Sequence, residues 1–368
     1  MTQSGKDRAG QGAERFRSAV AGHRFLTHAA GCEGVVPDRL NGSFSFEVPG
    51  FDFPGAKWTC EGDTTDERGN VASHVAFGPN YPDQRWHLFD TNGAHRAGFY
   101  AIDLLPQGEG FEGIYEVAGN IVPSFNVGLW SPDGTRGDGP AVGGEIVPSG
   151  VRAWPNGILT VNGACHNTTS GVQEFLTLRR FDVGRNELAQ MSLTFKCVGL
   201  AGVVEDANDN RLVLAHALAA DGFGTSDLLG YWFDSSGHPL TGWFSVGPGG
   251  GAGHTYTVRA LIGGGAAVRI DGAWTYFIPS GKAESQTAPP FLAGNPATDF
   301  TLVRGATAYA VLPRTGDTTR MKLYSRGGDL CGTLTFPSGG LTTGADGSVI
   351  ASSGPRGCTK TVWPALLR

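Results

Sequence analysis

The feature that most constrains this chain is a recurring unit: an aromatic strand, a polar turn containing glycine, and a second strand. The stretch GYWFDSSGHPLTGWFSVG, residues 230–247, shows it most plainly. The same pattern appears in RWHLFDTNGAHRAGFYAI from Arg85, NVGLWSPDGTRGDGPAVG from Asn126 and TLRRFDVGRNELAQMSLTF from Thr177. It returns in AWTYFIPSGKAE from Ala273 and MKLYSRGGDLCGTLTF from Met321. The last aromatic residues of the first strands are Phe89, Trp130, Phe181, Phe233, Phe277 and Tyr324, and a seventh strand, TKTVWPALLR, carries Trp363. Successive anchors are 41, 51, 52, 44, 47 and 39 residues apart. Each interval leaves room for two more short strands, and candidates are visible. LAGVVED from Leu200 and RLVLAHAL from Arg211 precede the 230–247 unit, and GVRAWPNG and ILTVNGAC precede Phe181.

Composition supports strands throughout. Fifty-eight glycines and 21 prolines punctuate the 368 residues, and apolar residues come in bursts the length of strands. Apolar positions spaced to bury a helical face are nearly absent, so an all-β protein is expected. Units of four strands at this spacing resemble the β-propeller architecture in general, in which neighbouring blades share a core that no blade could form alone. The resemblance covers about residues 42–368. It implies seven blades, with six and a partial cap as the alternative. The alternating segment GSFSFEV, residues 42–48, belongs to no complete unit, and a ring closes if it becomes the outer strand of the last blade. The chain has no Trp-Asp dipeptide, and its Gly-Gly pairs hold no fixed place in the unit as kelch repeats require. Residues 1–41 read as a polar extension, with ERFRSAVAGHRFL as a short helix.

The net charge of −6 comes from dispersed acids and bases, with no basic run to track a phosphate backbone, so nucleic acid is not an expected partner. No apolar segment approaches the roughly 20 residues that span a bilayer. The first 20 residues lack the apolar stretch of a secretory signal. HAAGC resembles the end of a lipoprotein signal, but FLTHAAG is short and polar, so Cys32 reads as a structural cysteine. Six cysteines, at 32, 60, 165, 197, 331 and 358, form no C-x-x-C pair, which argues against zinc and thioredoxin-like chemistry. Their spacing suggests the bridges Cys32–Cys60, Cys165–Cys197 and Cys331–Cys358, with six reduced core cysteines as the alternative. Bridged, they place the protein at the cell surface, in the periplasm or outside the cell.

Several motifs compete with plain turns. GEGFEG, residues 108–113, has the phosphate-loop spacing but no following helix. DANDNR places Asp206, Asn208 and Asn210 at alternating positions suited to calcium, yet Arg211 stands where a calcium loop needs glycine and Ala217 where it needs an acid. A polar turn is the favoured reading there, with calcium as the alternative and otherwise no cofactor. Arg136-Gly137-Asp138 reads as a hairpin turn before it reads as an adhesion tripeptide. Asn41-Gly-Ser43 and Asn167-Thr-Thr169 fit the glycosylation pattern. Signatures of the G-x-S-x-G, S-x-x-K and H-E-x-x-H type are absent. In a propeller, ligands gather where inner strands and loops meet a central channel, and His74, Tyr115, Trp154, Glu205, His254 and Asp299 are the candidates for that region. The leading expectation is a secreted or surface-associated, non-catalytic binding module for protein or carbohydrate. A channel-mouth hydrolase or lyase and a structural component of a larger assembly are the alternatives.

Overall fold

The computed structural model describes residues 31–50, 57–77, 84–101, 103–107, 109–117, 124–142, 152–154, 157–168, 171–181, 187–194, 198–218, 225–248, 256–280, 289–292, 298–313 and 317–368. These residues form antiparallel sheets in series, each built from consecutive strands except the last, which the first strand of the chain joins. Sheet 1 comprises Trp58–Thr65, Val71–Phe77, Gln84–Phe89 and His95–Tyr100. Sheet 2 comprises Asp103–Gln107, Gly110–Val117, Ser124–Trp130 and Arg136–Val142. Sheet 3 comprises Arg152–Trp154, Gly157–Thr168, Gly171–Phe181 and Glu187–Thr194. Sheet 4 comprises Val198–Glu205, Arg211–Leu218, Thr225–Phe233 and Phe244–Pro248. Sheet 5 has three strands among the described residues, Tyr256–Ala260, Ala266–Ile270 and Ala273–Phe277. Sheet 6 comprises Thr298–Val303, Ala308–Pro313, Arg320–Ser325 and Leu330–Thr335. Sheet 7 comprises Thr342–Thr343, Val349–Ser353 and Thr359–Trp363, with Phe44–Glu47 paired antiparallel to the last of these. Such serial four-stranded meanders are β-propeller construction.

The aromatic anchors occupy one station. Each lies at or next to the end of the third strand of its sheet, opposite the start of the second. Val71 pairs with Phe89, Phe111 with Trp130, Ile158 with Phe181, Arg211 with Phe233, Ala266 with Phe277 and Val349 with Trp363. In sheet 6 the register moves by one, so that Tyr324 faces Tyr309. Phe89, Trp130, Phe233, Phe277 and Trp363 are all buried, because a strand shows alternate residues to each face and both faces here meet a neighbouring sheet.

The turns repeat as well. Hairpins after several first strands use one five-residue form: Asp66 N–H donates to Asn70 O at 3.0 Å, Asp206 N–H to Asn210 O at 2.8 Å, and Leu261 N–H to Gly265 O at 3.1 Å. The hairpins after third strands at Asp90–Ala94, Ser131–Thr135, Asp234–His238 and Ser325–Asp329 share it. The fourth residue of this turn takes a positive φ, which is why glycine recurs there, as at Gly69 (89°) and Gly237 (87°). Asp209 holds the same place at 59°.

First strands of sheets 1 and 2, 2 and 3, 4 and 5, and 5 and 6 lie against one another, as do those of sheets 7 and 1. Sheets 6 and 7 share an apolar cluster that includes Val303, Leu323, Val349 and Trp363, and Val35 joins it. Between sheets 5 and 6 a single 3₁₀ turn, Pro290–Leu292, wedges Phe291 against Phe300, Tyr309 and Tyr324. No helix among the described residues is long and apolar enough to cross a membrane.

The cysteine pairing differs from the sequence expectation. Cys32 bridges Cys331 and Cys60 bridges Cys358, replacing the expected Cys32–Cys60 and Cys331–Cys358. Nearness along the chain suggested those pairs, but Phe44–Glu47 pairs with Thr359–Trp363 and brings the early residues beside the late ones. Cys197, of the expected Cys165–Cys197 bridge, and the helix at residues 14–26 lie outside the described residues.

Candidate functional site

Five of the six residues expected at the channel lie on described strands, one each in sheets 1, 2, 3, 4 and 6. Define the turn end of each sheet as the end carrying the hairpin from first to second strand. Glu205 closes the first strand of sheet 4 at its turn end and forms an ion pair with Arg211 Nε at 3.6 Å. Arg211 also donates to the carbonyls of Asp234 and Ser235 at 3.3 and 3.1 Å, locking two turns of that sheet together. Trp154 ends the first strand of sheet 3, also at the turn end. Asp299 sits at the other end, near the start of sheet 6. It is buried and grips Arg259 in a two-point pair at 3.0 and 2.9 Å, joining sheet 5 to sheet 6. Tyr115 lies on the second strand of sheet 2, opposite Asn126. His74 lies on the second strand of sheet 1, its ring stacked on Trp86 with centroids 4.7 Å apart. Burial lowers its pKa against the opposing pull of Asp63. His254 lies outside the described residues.

Asp206, Asn208 and Asn210 form a capped turn. One carboxylate oxygen of Asp206 accepts the N–H groups of Asn208 and Asn210 at 2.8 and 2.9 Å; the other accepts Gly265 N–H at 2.8 Å and the Asn210 amide at 3.2 Å. The Gly265 bond crosses from sheet 4 to sheet 5. Asp66 repeats the arrangement with Arg68 and Asn70. Burial raises the Asp66 pKa despite those bonds. The Arg136-Gly137-Asp138 tripeptide opens the outer strand of sheet 2, beyond the Ser131–Thr135 turn, and is therefore not the turn it was expected to be. In GEGFEG, a side chain at Gly110 would lie 2.6 Å from the Trp130 carbonyl oxygen, so backbone approach within a hairpin explains that glycine.

Two features escaped sequence reasoning. The first is a buried polar cluster between sheets 7 and 1. Lys360 Nζ donates to Asp63 at 2.6 Å, to Ser352 Oγ at 2.9 Å and to the Cys60 carbonyl at 3.4 Å, while Ser73 donates to the second Asp63 oxygen at 2.5 Å. Both ionised side chains are almost fully enclosed, at 0% and 1% exposure. Thr65 extends the contact by donating to Asp346 at 2.5 Å. The sequence signal for Lys360 was its place in TKTVW, where alternation puts a cation on the same face as buried Val362. With its hydrogen-bonding capacity satisfied and water shut out, the cluster joins sheets and has no access for a substrate.

The second is a Trp–Arg stack at the end of sheet 1 opposite its turn. Trp58 begins the first strand, and the Arg356 guanidinium lies 4.3 Å from the centre of its ring. Arg356 occupies the hairpin between the second and third strands of sheet 7, in the sequence Gly354-Pro-Arg-Gly-Cys358. Its φ of 66° is unusual for a residue with a side chain. The Cys60–Cys358 bridge fastens this hairpin to the same strand that carries Trp58. Arg356 and the adjacent Lys57 are exposed and Trp58 is half-buried. Among the described residues, no carboxylate pairs with Arg356.

No protein-family model matches the chain, and no curated protein matches it. Solved structures similar to it include the β-propeller domain of the Trilobed protease from Pyrococcus furiosus, with 8% identity, 80% of this chain and 90% of that one covered, and a TM-score of 0.46. The WD40 domain of Toxoplasma gondii coronin is similar at 9% identity, with 89% and 87% covered and a TM-score of 0.42. Chaetomium thermophilum Sqt1, bound to the N-terminus of ribosomal protein L10, is similar at 11% identity, with 85% and 98% covered and a TM-score of 0.40. These neighbours are propeller proteins, and the fold itself is read from the sheets and their register.

Proposed function

We propose that this chain is a seven-bladed β-propeller, closed by Phe44–Glu47, that works in an oxidising compartment as a non-catalytic module binding a protein partner. On this reading residues 42–368 are the propeller, residues 1–41 precede it, and no cofactor is required. The observation that carries the proposal is a contrast between two kinds of charged group. Glu205 and Asp299 are engaged in ion pairs at opposite ends of their strands, and Asp63 and Lys360 are sealed from solvent. Arg356, in contrast, is exposed and stacked, on a hairpin that the Cys60–Cys358 bridge fastens. The first group suits holding sheets together and the second suits recognition. Two disulfides fit an oxidising location.

The test uses the oxidised full chain in three parallel assays: capture of partners from extracellular or periplasmic extracts, a glycan array, and a panel of hydrolase and lyase substrates. Capture of a defined protein, then reproduced with purified components, supports the reading. Turnover of a small substrate with both binding assays blank overturns it. Selective glycan binding would move the ligand class from protein to carbohydrate.

A further inference from the structure

We infer that the Trp58–Arg356 stack is a docking point for a carboxylate, presented by an acidic segment of the protein partner; this deepens the proposal above and rests on it. The indole is half-buried and flanked by two neighbours. A side chain at Gly50 would lie 2.3 Å from Trp58 Cη2 and Cζ2, so the backbone there abuts the benzo ring, and the guanidinium covers the ring from Arg356. The guanidinium thus occupies a ring face on which a sugar could otherwise stack. Among the described residues the exposed group of the stack is the guanidinium, whose paired N–H groups match the two oxygens of a carboxylate.

The mount is stiff. Gly354, Arg356 and Gly357 have φ values of 75°, 66° and 70°, Pro355 lies between them, and Gly357 N–H closes the turn on the Gly354 carbonyl at 3.3 Å. Directly after the turn, Cys358 is bonded to Cys60, two residues along from Trp58. A guanidinium held this way loses little side-chain freedom on binding. The chain as a whole is acidic, at −6, so its overall field does not recruit an anionic ligand. Attraction must come from the local cations, Arg356 with Lys57 beside Trp58, which makes the expected dependence on Arg356 steep.

The experiment measures fluorescence anisotropy of a short labelled glutamate-rich peptide with the oxidised full chain. An uncharged glutamine-rich peptide and a galacturonate oligomer serve as comparison probes. The wild type is expected to bind the glutamate peptide, more weakly as salt rises, and neither comparison probe. Arg356→Gln is expected to weaken binding roughly tenfold or more. Arg356→Lys should recover only part of the loss, since an ammonium lacks the two-point geometry. Trp58→Phe should retain more affinity than Trp58→Ala, because the ring orients the guanidinium. Arg326→Gln, at an exposed arginine on sheet 6, should bind as the wild type does. Unchanged thermal midpoints show that each variant folds. Equal binding by Arg356→Gln and the wild type overturns the inference, as does binding of the galacturonate oligomer alone or no binding of the glutamate peptide. If Arg356→Gln still captures the purified protein partner with full affinity, this inference fails while the binding-module reading stands; if no partner is captured at all, that reading fails too.

Discussion

Lys360 and Asp63 show what a single buried residue pair can decide. Each ion loses its hydration on burial, and their contact with Ser73 and Ser352 offsets that loss only while both members are present. Lys360→Ala should therefore cost about 3–5 kcal/mol of stability, read by denaturant unfolding, because the Asp63 carboxylate would be left enclosed without its cation. A loss below about 1 kcal/mol would mean that water reaches the site. His87 works through protonation. Its Nδ1 lies 3.0 Å from His95 Nε2 and its Nε2 is buried with no partner. Burial first, then the neighbouring His95 and Arg85, hold its pKa at about 4. An unfolded histidine titrates near 6.5. Between those values the unfolded chain binds a proton that the folded chain refuses, so stability falls as pH drops from about 6.5 and levels off below about 4. His74, also lowered by burial, adds with the same sign. His87→Gln should flatten the stability profile across that window, and an unchanged slope would assign the acid limit to other groups.

At the scale of elements, the capped hairpin is the recurring part. An aspartate side chain binds the backbone of its own turn at Asp66, Asp90, Asp206 and Asp234, which fixes the loop and so the register of the strands on either side. Asp206 does more than the exposed members, because it also takes Gly265 N–H from the next sheet. Asp206→Ala should destabilise by about 1–3 kcal/mol, since it strands buried N–H donors. Asp234→Ala, at a more exposed turn, should cost less. Thermal unfolding of the two variants side by side checks the order, and equal losses would show that the link between sheets contributes nothing. The aspartates were legible in the sequence as turn formers. Which of them reaches into a neighbouring sheet was not, because that depends on how the sheets are placed.

At the scale of the whole molecule, the links between early and late residues converge. Phe44–Glu47 pairs with Thr359–Trp363, Phe46 stacks on Phe89 at 4.0 Å, Cys60 bridges Cys358, and Lys360 meets Asp63. Cys32–Cys331 adds a second clasp, and Arg304 donates to the carbonyls of Val35 and Arg368. Each bridge spans nearly 300 residues, with separations of 299 and 298. In the chain-entropy treatment such a loop contributes about 6 kcal/mol by restricting the unfolded state. The double variant Cys60→Ser with Cys358→Ser should lower the denaturant midpoint and speed proteolytic cleavage near residues 42–60. Cleavage elsewhere, at an unchanged rate there, would show that strand pairing and the ion pair hold this junction without the bridge.

The sequence by itself determined the unit and its count of aromatic anchors. Alternation of apolar residues, turn-forming aspartates and glycines, and the spacing of Phe89 to Trp363 are local properties, and local rules of strand and turn formation read them directly. The same rules gave Phe44–Glu47 as a strand in search of a partner. Tertiary structure alone decided which cysteines meet, which aspartate bridges two sheets, and where Trp58 finds Arg356. Those pairs join residues tens to hundreds of positions apart, and their meeting depends on the stacking of complete sheets, which no window of sequence contains.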